Sequence, residues 1–289
     1  MSKGEYYEYS SAADITLPNV PIKQWMVKNE FTETGEEVLD LSEAIQTNYK
    51  ATSPNLRASF HYIKKNDVVM LSAKATSHIF HVIYGCGKLV HENISWSDGD
   101  IFTCPGGKIV LKAEEDSALY TINDNPLLQY LGVAPDKKLF TATLYSKSEL
   151  EKNMKLLTDP TAEKNREGIL LGNSLTREST KTITPTLWAL YNKLPKKSFQ
   201  KPHRHNSVAI DYCISSSNNV YTLIGKSLNK DGTIQNPSKV YWKTRSVFTT
   251  PPGLWHSHHN ESDEDAFVLP LQDAGLYTYQ RTLDIQFQE

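Results

Sequence analysis

Cysteine is scarce in this chain, and its spacing excludes several classes of small protein. The 289 residues include three cysteines, Cys86, Cys104 and Cys213, and no C-x-x-C pair. Neither a zinc finger nor a disulfide framework is indicated, because both need closely spaced cysteines. We therefore expect a reducing, cytoplasmic location for the protein.

The sequence also lacks an excess of charge of either sign, and it lacks long apolar runs. Lys and Arg number 31 and Asp and Glu number 33, which gives a net charge of −2. We expect no nucleic acid or anionic membrane partner, because both require a strongly basic surface. No stretch approaches the about 18 apolar residues of a membrane span, and the N-terminal residues lack the pattern of a secretion signal.

What the chain does contain is a series of short β-rich runs separated by turn residues. Such spacing favours an antiparallel sandwich or barrel. The predicted strands are Asp67–Ala73, Ser77–Tyr84, Ile101–Cys104, Lys108–Lys112, Ala118–Asn123, Ala209–Ile214, Val220–Ile224 and Val247–Thr250. Two segments, Glu36–Asn48 and Ser146–Leu157, have apolar residues at helical spacing, and the second begins like a capping box. The sequence thus predicts an all-β fold with a few connecting helices.

An internal repeat predicts two similar halves. Trp96-x-x-x-x-Ile101-Phe102-Thr103-x-Pro105 recurs as Trp242-x-x-x-x-Val247-Phe248-Thr249-x-Pro251 with the same spacing. Chance similarity between two strands is the weaker explanation. The repeat sets Val110 opposite His256, and an alignment of upstream strands sets Ser72 and Lys74 opposite His203 and His205.

Histidines in the second half have the spacing of a metal site. His203 and His205 are two residues apart, so on a strand they point to the same face, and His256 from a neighbouring strand can complete the site. A single buried or surface His needs no such explanation, and nine His in this chain are not unusual. The triplet together with Pro251-Pro252-Gly253-Leu254-Trp255-His256 favours a mononuclear metal site through His203, His205 and His256.

These motifs resemble the cupin superfamily, and more narrowly the ring-cleaving dioxygenases of gentisate, salicylate and 1-hydroxy-2-naphthoate. The resemblance lies in Pro202-His203-Arg204-His205-Asn206-Ser207 and Thr249 to His258 in the second half, and in Thr76 to Gly87 and Asp124-x-Pro126-Leu127 in the first. It implies two cupin (jelly-roll β-barrel) domains in one chain. That group usually carries its metal in the first cupin, whereas the ligands here lie in the second.

The expected division of the chain follows from the repeat and the resemblance. Residues 1–60 are predicted to form an N-terminal arm, 61–135 a first cupin domain without metal, 136–180 a helical connector, and 181–289 a second, metal-binding cupin domain. The arm is expected to pack on its own barrel or on a partner subunit. His78 and His81 of the first half are expected to be structural or to line a vestigial cavity.

The resemblance also implies cofactor and chemistry. It implies Fe(II), with a small molecule and dioxygen bound together, while the three-His set by itself leaves Mn, Ni, Co or Zn open. His258 shares the strand parity of His256, and the resemblance implies a substrate-side hydrogen bond or a proton-transfer role for it. An exposed turn residue is the alternative for His258. Trp255 is predicted to lie at the rim of the site and to contact the substrate. Tyr191 is one of several aromatic residues in the second half, and we predict that it contacts the substrate as well.

Asp211 is the main departure from the resembled group. It stands in step with His203 and His205, where that group has an Arg that anchors a substrate carboxylate. The sequence predicts that Asp211 faces the metal cavity as a catalytic or substrate-binding residue that disfavours acids, with a fourth ligand as an open alternative. Pairing with Lys193 or Arg281 is a further alternative of equal weight.

Two functions stay open at this point. The first is a non-haem Fe(II)-dependent bicupin dioxygenase acting on a small aromatic or nitrogen-containing metabolite. The second is a metal-dependent lyase, isomerase or aminohydrolase that does not use oxygen. A homodimer or homotetramer is expected, because cupin halves leave sheet edges and apolar faces that a partner subunit usually covers.

Overall fold

The computed structural model describes residues 3–13, 17–71, 74–158 and 167–288. Its strands pair antiparallel throughout these ranges and form four sheets, two in each half of the chain. The all-β prediction is confirmed. Within the described ranges, no helix is both long enough and apolar enough to cross a membrane.

The first half is built from two facing sheets. One has the strand order β11-β8-β5-β10-β3-β2, and the other has the order β4-β9-β6-β7. Its elements are α1 Tyr9–Ala12, β1 Gln24–Met26, β2 Gly35–Val38, β3 Arg57–Ile63, β4 Val68–Leu71, β5 Ser77–Tyr84, β6 Gly87–Leu89, β7 Ile94–Trp96, β8 Ile101–Pro105, β9 Ile109–Ala113, β10 Ser117–Asn123, α2 Asn125–Leu131 and β11 Thr143–Tyr145.

The second half repeats this arrangement. Its sheets have the orders β1-β19-β16-β21-β13-β12 and β18-β17-β20-β15-β22, with β14 paired to β20. Its elements are α3 Lys147–Leu157, β12 Glu167–Leu170, β13 Trp188–Leu194, β14 Ser198–Phe199, β15 His203–His205, β16 Ala209–Ser215, β17 Val220–Gly225, β18 Ser238–Tyr241, β19 Ser246–Thr250, β20 Trp255–Asn260, β21 Ala266–Gln272, α4 Ala274–Gln280 and β22 Ile285–Phe287.

Each half encloses its own apolar core, and a third core joins the halves. Phe80 and Phe102 belong to the first barrel's core, and Phe248 belongs to the second barrel's core. Between the barrels the six-stranded sheets pack outer face to outer face, with the rings of Tyr120 and Tyr212 stacked at 5.2 Å between centroids. Side chains on the outer faces of these sheets therefore pack in the layer between the barrels, and side chains on the inner faces point into the barrel interiors.

The N-terminal segment contributes strands to both halves. Strand β1 pairs with β19 of the second barrel, with Trp25 opposite Val247, whereas β2 pairs with β3 of the first barrel. The N-terminal segment therefore adds a strand to a sheet of each barrel. The division of the chain into an arm, two barrels and a connector stays a proposal.

One of the two predicted helices is present, and the other is wrong. Helix α3 begins after Ser146, whose hydroxyl accepts a hydrogen bond from the Glu149 N–H as expected of a capping box. The segment Glu36–Asn48 instead starts with strand β2 and continues as turns. Its helically spaced apolar residues, such as Leu41 and Ile45, are buried in the core between the barrels, so packing rather than helical periodicity explains their spacing.

The internal repeat corresponds to matching pieces of the two barrels. In each barrel the repeated tryptophan lies near the repeated phenylalanine, with centroid distances of 6.5 Å for Trp96 and Phe102 and 6.4 Å for Trp242 and Phe248. Each phenylalanine lies on the strand that follows, β8 or β19.

Candidate metal centre and its cavity

The three predicted metal ligands come together in the second barrel. His203 on β15 pairs directly with His256 on β20, and His205 lies on the same face of β15 as His203. One ligand nitrogen from each of His203, His205 and His256 lies within 4.8 Å of the other two, and all three side chains are at most 9% exposed. The pattern His-x-His followed by a third His thus produces the predicted cluster.

Hydrogen bonds behind the ligands orient two of the imidazoles for metal binding. His205 Nδ1 donates to the Ser207 carbonyl oxygen at 2.8 Å, and His256 Nδ1 donates to the Leu254 carbonyl oxygen at 3.0 Å. A hydrogen on Nδ1 leaves a lone pair on Nε2. Backbone carbonyls in this role are typical partners of metal-ligating histidines, so the donor set fits a divalent metal ion.

The Pro-Pro-Gly turn sets the start of β20. Gly253 has a φ of 73°, in the left-handed region that glycine adopts without strain. Its N–H donates to the His205 carbonyl oxygen at 2.7 Å. The turn thereby ties the beginning of the His256 strand to the end of the His203–His205 strand.

A cavity of about 240 Å³ opens in front of the cluster, between the two sheets of the second barrel. Sheets packed face to face are about 10 Å apart, which leaves room for a small ligand where side chains are short. The four inward histidines, His203, His205, His256 and His258, line one wall. Ala209 and Asp211 of β16 line the wall opposite, and Leu190, Ile285 and Phe287 supply apolar surface.

Asp211 lies in the cavity wall, and no ion pair joins it to a cationic side chain within the described ranges. It is 2% exposed, and its Oδ2 accepts a hydrogen bond from the Thr250 hydroxyl at 2.6 Å. Burial raises the pKa of its carboxyl to about 7, although the Thr250 hydrogen bond opposes this rise. The predicted alternative partner Lys193 pairs with Glu167 and Asp265 instead, and Arg281 donates to the Tyr279 carbonyl oxygen.

A buried carboxyl with a raised pKa makes folding stability depend on pH in a defined direction. Between about pH 4 and pH 7 the folded metal-free protein holds the Asp211 proton more tightly than the unfolded chain, so stability falls as pH rises through this window. Asp211→Asn should therefore stabilise the metal-free protein at pH 8 relative to pH 4, by an amount on the order of a few kcal/mol. Urea unfolding at both pH values measures this, with the 91% exposed Asp263 changed to Asn as a control. The same stability difference at both pH values would contradict the assignment.

His258 faces the same cavity, because it lies two residues after His256 on β20. It is 5% exposed, and the exposed-turn alternative is wrong for its side chain. Its Nδ1 lies 2.8 Å from the hydroxyl of Thr222, which pairs with it across β17 and β20. The Trp242 indole N–H donates to the same hydroxyl at 2.8 Å. The next residue, His259, points outward and stacks on Tyr221.

The structure places Trp255 and Tyr191 away from the lining of the cavity. Trp255 precedes His256 and therefore lies on the other face of β20, where the Arg204 guanidinium covers its ring at 5.0 Å. Tyr191 belongs to the core between the barrels and contacts Phe267. Its neighbours Leu190 and Asn192 line the cavity, because alternate residues of β13 face inward. Tyr191 is thus one residue away from two positions of β13 that face the cavity.

The cavity lining also includes side chains with polar groups that were not among the predicted site residues. Gln200, Trp188 and Asn192 all line the cavity. Gln200 Nε2 and Trp188 Nε1 are buried, and neither has a hydrogen-bond partner within the described part of the chain. No local sequence pattern identifies them, because strand pairing brings them to the cavity: Gln200 N–H donates to the His258 carbonyl oxygen, and Trp188 lies opposite Gln272.

The first barrel has apolar side chains where the second has its ligands. Strands β4 and β9 correspond to β15 and β20, and their inward pair is Leu71 and Ile109. Ile109 rather than Val110 therefore stands for His256, because the loop before β9 is one residue shorter than the repeat assumes. Ser72 lies outside the described residues, and Lys74 is exposed beyond the end of β4. Over the described ranges, the His203 cluster is the one group of three or more potential ligands that could hold a metal ion.

His78 and His81 of the first barrel are buried and neutral. Burial lowers the pKa of His78 to about 3 and that of His81 to about 4. His81 contacts Tyr212 in the layer between the barrels, and His78 stacks on Phe80 inside the first barrel. Both therefore pack as core side chains.

Of three comparisons with known proteins, the one with solved structures found matches. No protein-family model matches the chain. No curated protein sequence matches it either. Among solved structures, salicylate 1,2-dioxygenase from Pseudoaminobacter salicylatoxidans with bound gentisate superposes with a TM-score of 0.72 at 13% identity, covering 97% of this chain and 89% of that one. A tryptophan-to-tyrosine mutant of that enzyme, also with gentisate, gives a TM-score of 0.71 at 13% identity over 97% and 90% of the two chains.

A second kind of enzyme shares the architecture. Oxalate decarboxylase from Lactobacillus farciminis, in complex with formate, superposes with a TM-score of 0.55 at 12% identity, covering 86% of this chain and 85% of that chain. The identities are too low to transfer an activity, but the matches span most of each chain. The chain has the bicupin fold, and the second of its two cupin barrels carries a cluster of three histidines that could hold a metal ion.

Proposed function

We propose that the protein is a non-haem Fe(II)-dependent dioxygenase that acts on a small aromatic or nitrogen-containing metabolite. The observation that carries the proposal is the three-His cluster at the wall of a cavity of about 240 Å³. Three neutral imidazoles leave the metal's charge undiminished and up to three coordination positions open. These are the requirements for binding a bidentate small molecule and dioxygen together.

The chain's own residues would position the substrate. Bound Fe(II) would supply the means to activate dioxygen. Asp211, on the wall opposite the cluster, would accept a hydrogen bond from a donor group of the substrate. Leu190, Ile285 and Phe287 would exclude water and contact the apolar part of the ligand. Asp211 stands apart from the three-His cluster, which supports a substrate contact rather than a fourth ligand.

The choice of iron rests on the likeness to salicylate 1,2-dioxygenase. The donor set alone accommodates Mn, Ni, Co or Zn, and the affinity order of divalent metals favours several of them over Fe(II). The proposed function therefore includes Fe(II), whereas the three-His cluster by itself supports a divalent metal ion.

A second candidate is a lyase, isomerase or aminohydrolase that uses the metal without oxygen. The likeness to oxalate decarboxylase supports this class. So does Asp211, because a carboxyl with a pKa of about 7 can hold or release a proton near neutral pH.

Oxygen consumption separates the two candidates. Protein freed of metal and reloaded anaerobically with Fe(II) should consume oxygen in an electrode when presented with an ortho-aminophenol or another amino-bearing aromatic. The Zn(II)-loaded protein should consume none, because zinc has no redox chemistry. Conversion of such a compound at equal rates with and without oxygen would contradict the dioxygenase and favour the second candidate.

We propose a small-molecule substrate with dioxygen as co-substrate, a homodimer or homotetramer, and a cytoplasmic location. Val68 and Met70 on edge strand β4 are 58% and 60% exposed, and an exposed apolar edge of this kind supports the expectation of a partner subunit.

A further inference from the structure

A buried chain of three side chains leads from the core of the second barrel to the metal cavity. The Trp242 indole N–H lies 2.8 Å from the Thr222 hydroxyl oxygen, and that oxygen lies 2.8 Å from His258 Nδ1. Trp242 is 3% exposed, Thr222 is 0% exposed and His258 is 5% exposed. Thr222 and His258 are direct partners in the β17–β20 pairing, so the backbone holds them in place.

Counting hydrogens along this chain assigns the tautomer of His258. The indole nitrogen is a donor only, so the Thr222 oxygen accepts from it. The single hydroxyl hydrogen of Thr222 is then left to donate, and His258 Nδ1 is its one partner within the described ranges. If Nδ1 carried a hydrogen instead, the Thr222 hydrogen would be buried without an acceptor, which is unfavourable. Nδ1 therefore accepts, and the hydrogen of the neutral ring lies on Nε2.

The first barrel provides an internal comparison. The pairings of Gly87 with Trp96 and Ala113 place Leu89 and Leu111 where the second barrel has Thr222 and His258. There the Trp96 indole N–H is buried without a partner in the described part of the chain. The tryptophan is thus common to both barrels, whereas the hydroxyl and the imidazole occur only in the barrel with the metal ligands.

We propose that Thr222 and Trp242 are positioning residues that fix His258 with its hydrogen on Nε2, so that His258 presents a hydrogen-bond donor to the cavity. The proposal deepens the proposed function and rests on the metal-and-substrate role of this cavity. His205 and His256 have the opposite polarity, with hydrogen on Nδ1 and a lone pair on Nε2. This difference explains how His258, whose ring centroid is 5.9 Å from that of His256, faces the same cavity without being a ligand.

The fixed donor narrows the substrate class. A ligand between the two walls must offer an acceptor, such as a hydroxyl or carbonyl oxygen, to His258, and a donor, such as an amine, to Asp211. Because the two groups lie on opposite walls, the acceptor of the ligand must point towards the wall of His258 and its donor towards the wall of Asp211. An amino-bearing phenol satisfies both requirements, whereas a second carboxylate facing Asp211 does not.

The tautomer can be measured directly on the metal-loaded protein. Long-range ¹H–¹⁵N NMR of the Zn(II)-loaded protein at neutral pH should show His258 as a single neutral ring with hydrogen on Nε2 and an Nδ1 that accepts a hydrogen bond. Loss of the signal in His258→Gln assigns it. A ring with hydrogen on Nδ1, or a doubly protonated ring, would overturn the proposal.

Variants test whether Thr222 sets this state. Thr222→Val should shift the His258 Nδ1 resonance and weaken 2-aminophenol binding to Co(II)-loaded protein, followed by its visible spectrum, by about fivefold. Thr222→Ser should restore both, and metal content should stay unchanged in each variant. Thr121→Val is the matched control, because Thr121 is a buried strand threonine of the first barrel.

The outcomes separate this proposal from the proposed function. Unchanged Nδ1 resonance and unchanged affinity in Thr222→Val would overturn the positioning role. Failure of the natural protein to bind 2-aminophenol would count against the proposed substrate class, while the NMR tautomer still decides the proposal. If Thr222→Val does not fold, Thr222→Ala, which also removes the hydroxyl, supplies the same test.

Discussion

Changing His203 to Ala is expected to remove more than about 90% of the bound metal at micromolar protein. Changes to residues that only hydrogen-bond to a metal ligand typically cost about 10- to 100-fold in metal affinity, so loss of a ligand should cost on the order of 100-fold or more. His203 lies directly opposite His256, and its removal leaves two ligands on different strands. Elemental analysis after dialysis measures the effect, and the natural protein should hold one metal per chain.

His259→Ala is the matched control for this experiment. His259 lies on the same strand as His256 but stacks outward on Phe199 and Tyr221. It should retain the metal. Two metals per chain in the natural protein, or full retention in His203→Ala, would defeat the assignment and reopen the first barrel as a metal site.

Asp211 is expected to set the charge preference of the substrate. A carboxylate on the ligand placed several Å from Asp211 would be repelled, and at the effective dielectric of protein sites this costs about 10-fold in affinity or more. Gentisate and salicylate should therefore be poor substrates of the natural protein, and an amino-bearing relative should be better. Asp211→Arg should shift the ratio of kcat/KM values towards the acids.

Asp211→Asn separates a substrate contact from a metal ligand. It should weaken binding of the amino-bearing compound more than it lowers metal content, because Asp211 hydrogen bonds to Thr250 and stands apart from the three-His cluster. Asp263→Asn at the surface should change neither. Efficient turnover of gentisate by the natural protein, or loss of metal in Asp211→Asn, would overturn this account of Asp211.

The three-histidine cluster was predictable because the spacing of residues along a strand determines which side chains share a face. His203 and His205 are two residues apart, as are His256 and His258, so each pair had to share one face. The same parity argument placed Asp211 in the cavity wall. By the same argument, Trp255 lies on the opposite face of the strand from His256. Being next to His256 in the sequence was therefore a poor reason to predict Trp255 at the rim of the site.

Other features depend on pairings that no local pattern reveals. Leu41 and Ile45 have helical spacing, yet they fill the layer between two barrels. Thr222 and Gln200 reach His258 through strand pairing, so neither looks functional in the sequence. The repeat found the two barrels, but one residue fewer in a loop moved the counterpart of His256 from Val110 to Ile109. Register errors of one residue reverse the face of every side chain that follows.

The central claim is that one metal ion is held by three histidines of the second barrel, across a cavity from Asp211. Anomalous X-ray diffraction from crystals of the metal-loaded protein tests it most directly. We predict a single anomalous peak bounded by a nitrogen of each of His203, His205 and His256, with no carboxylate bound to the metal. A peak in the first barrel, or a metal coordinated by Asp211, would contradict it.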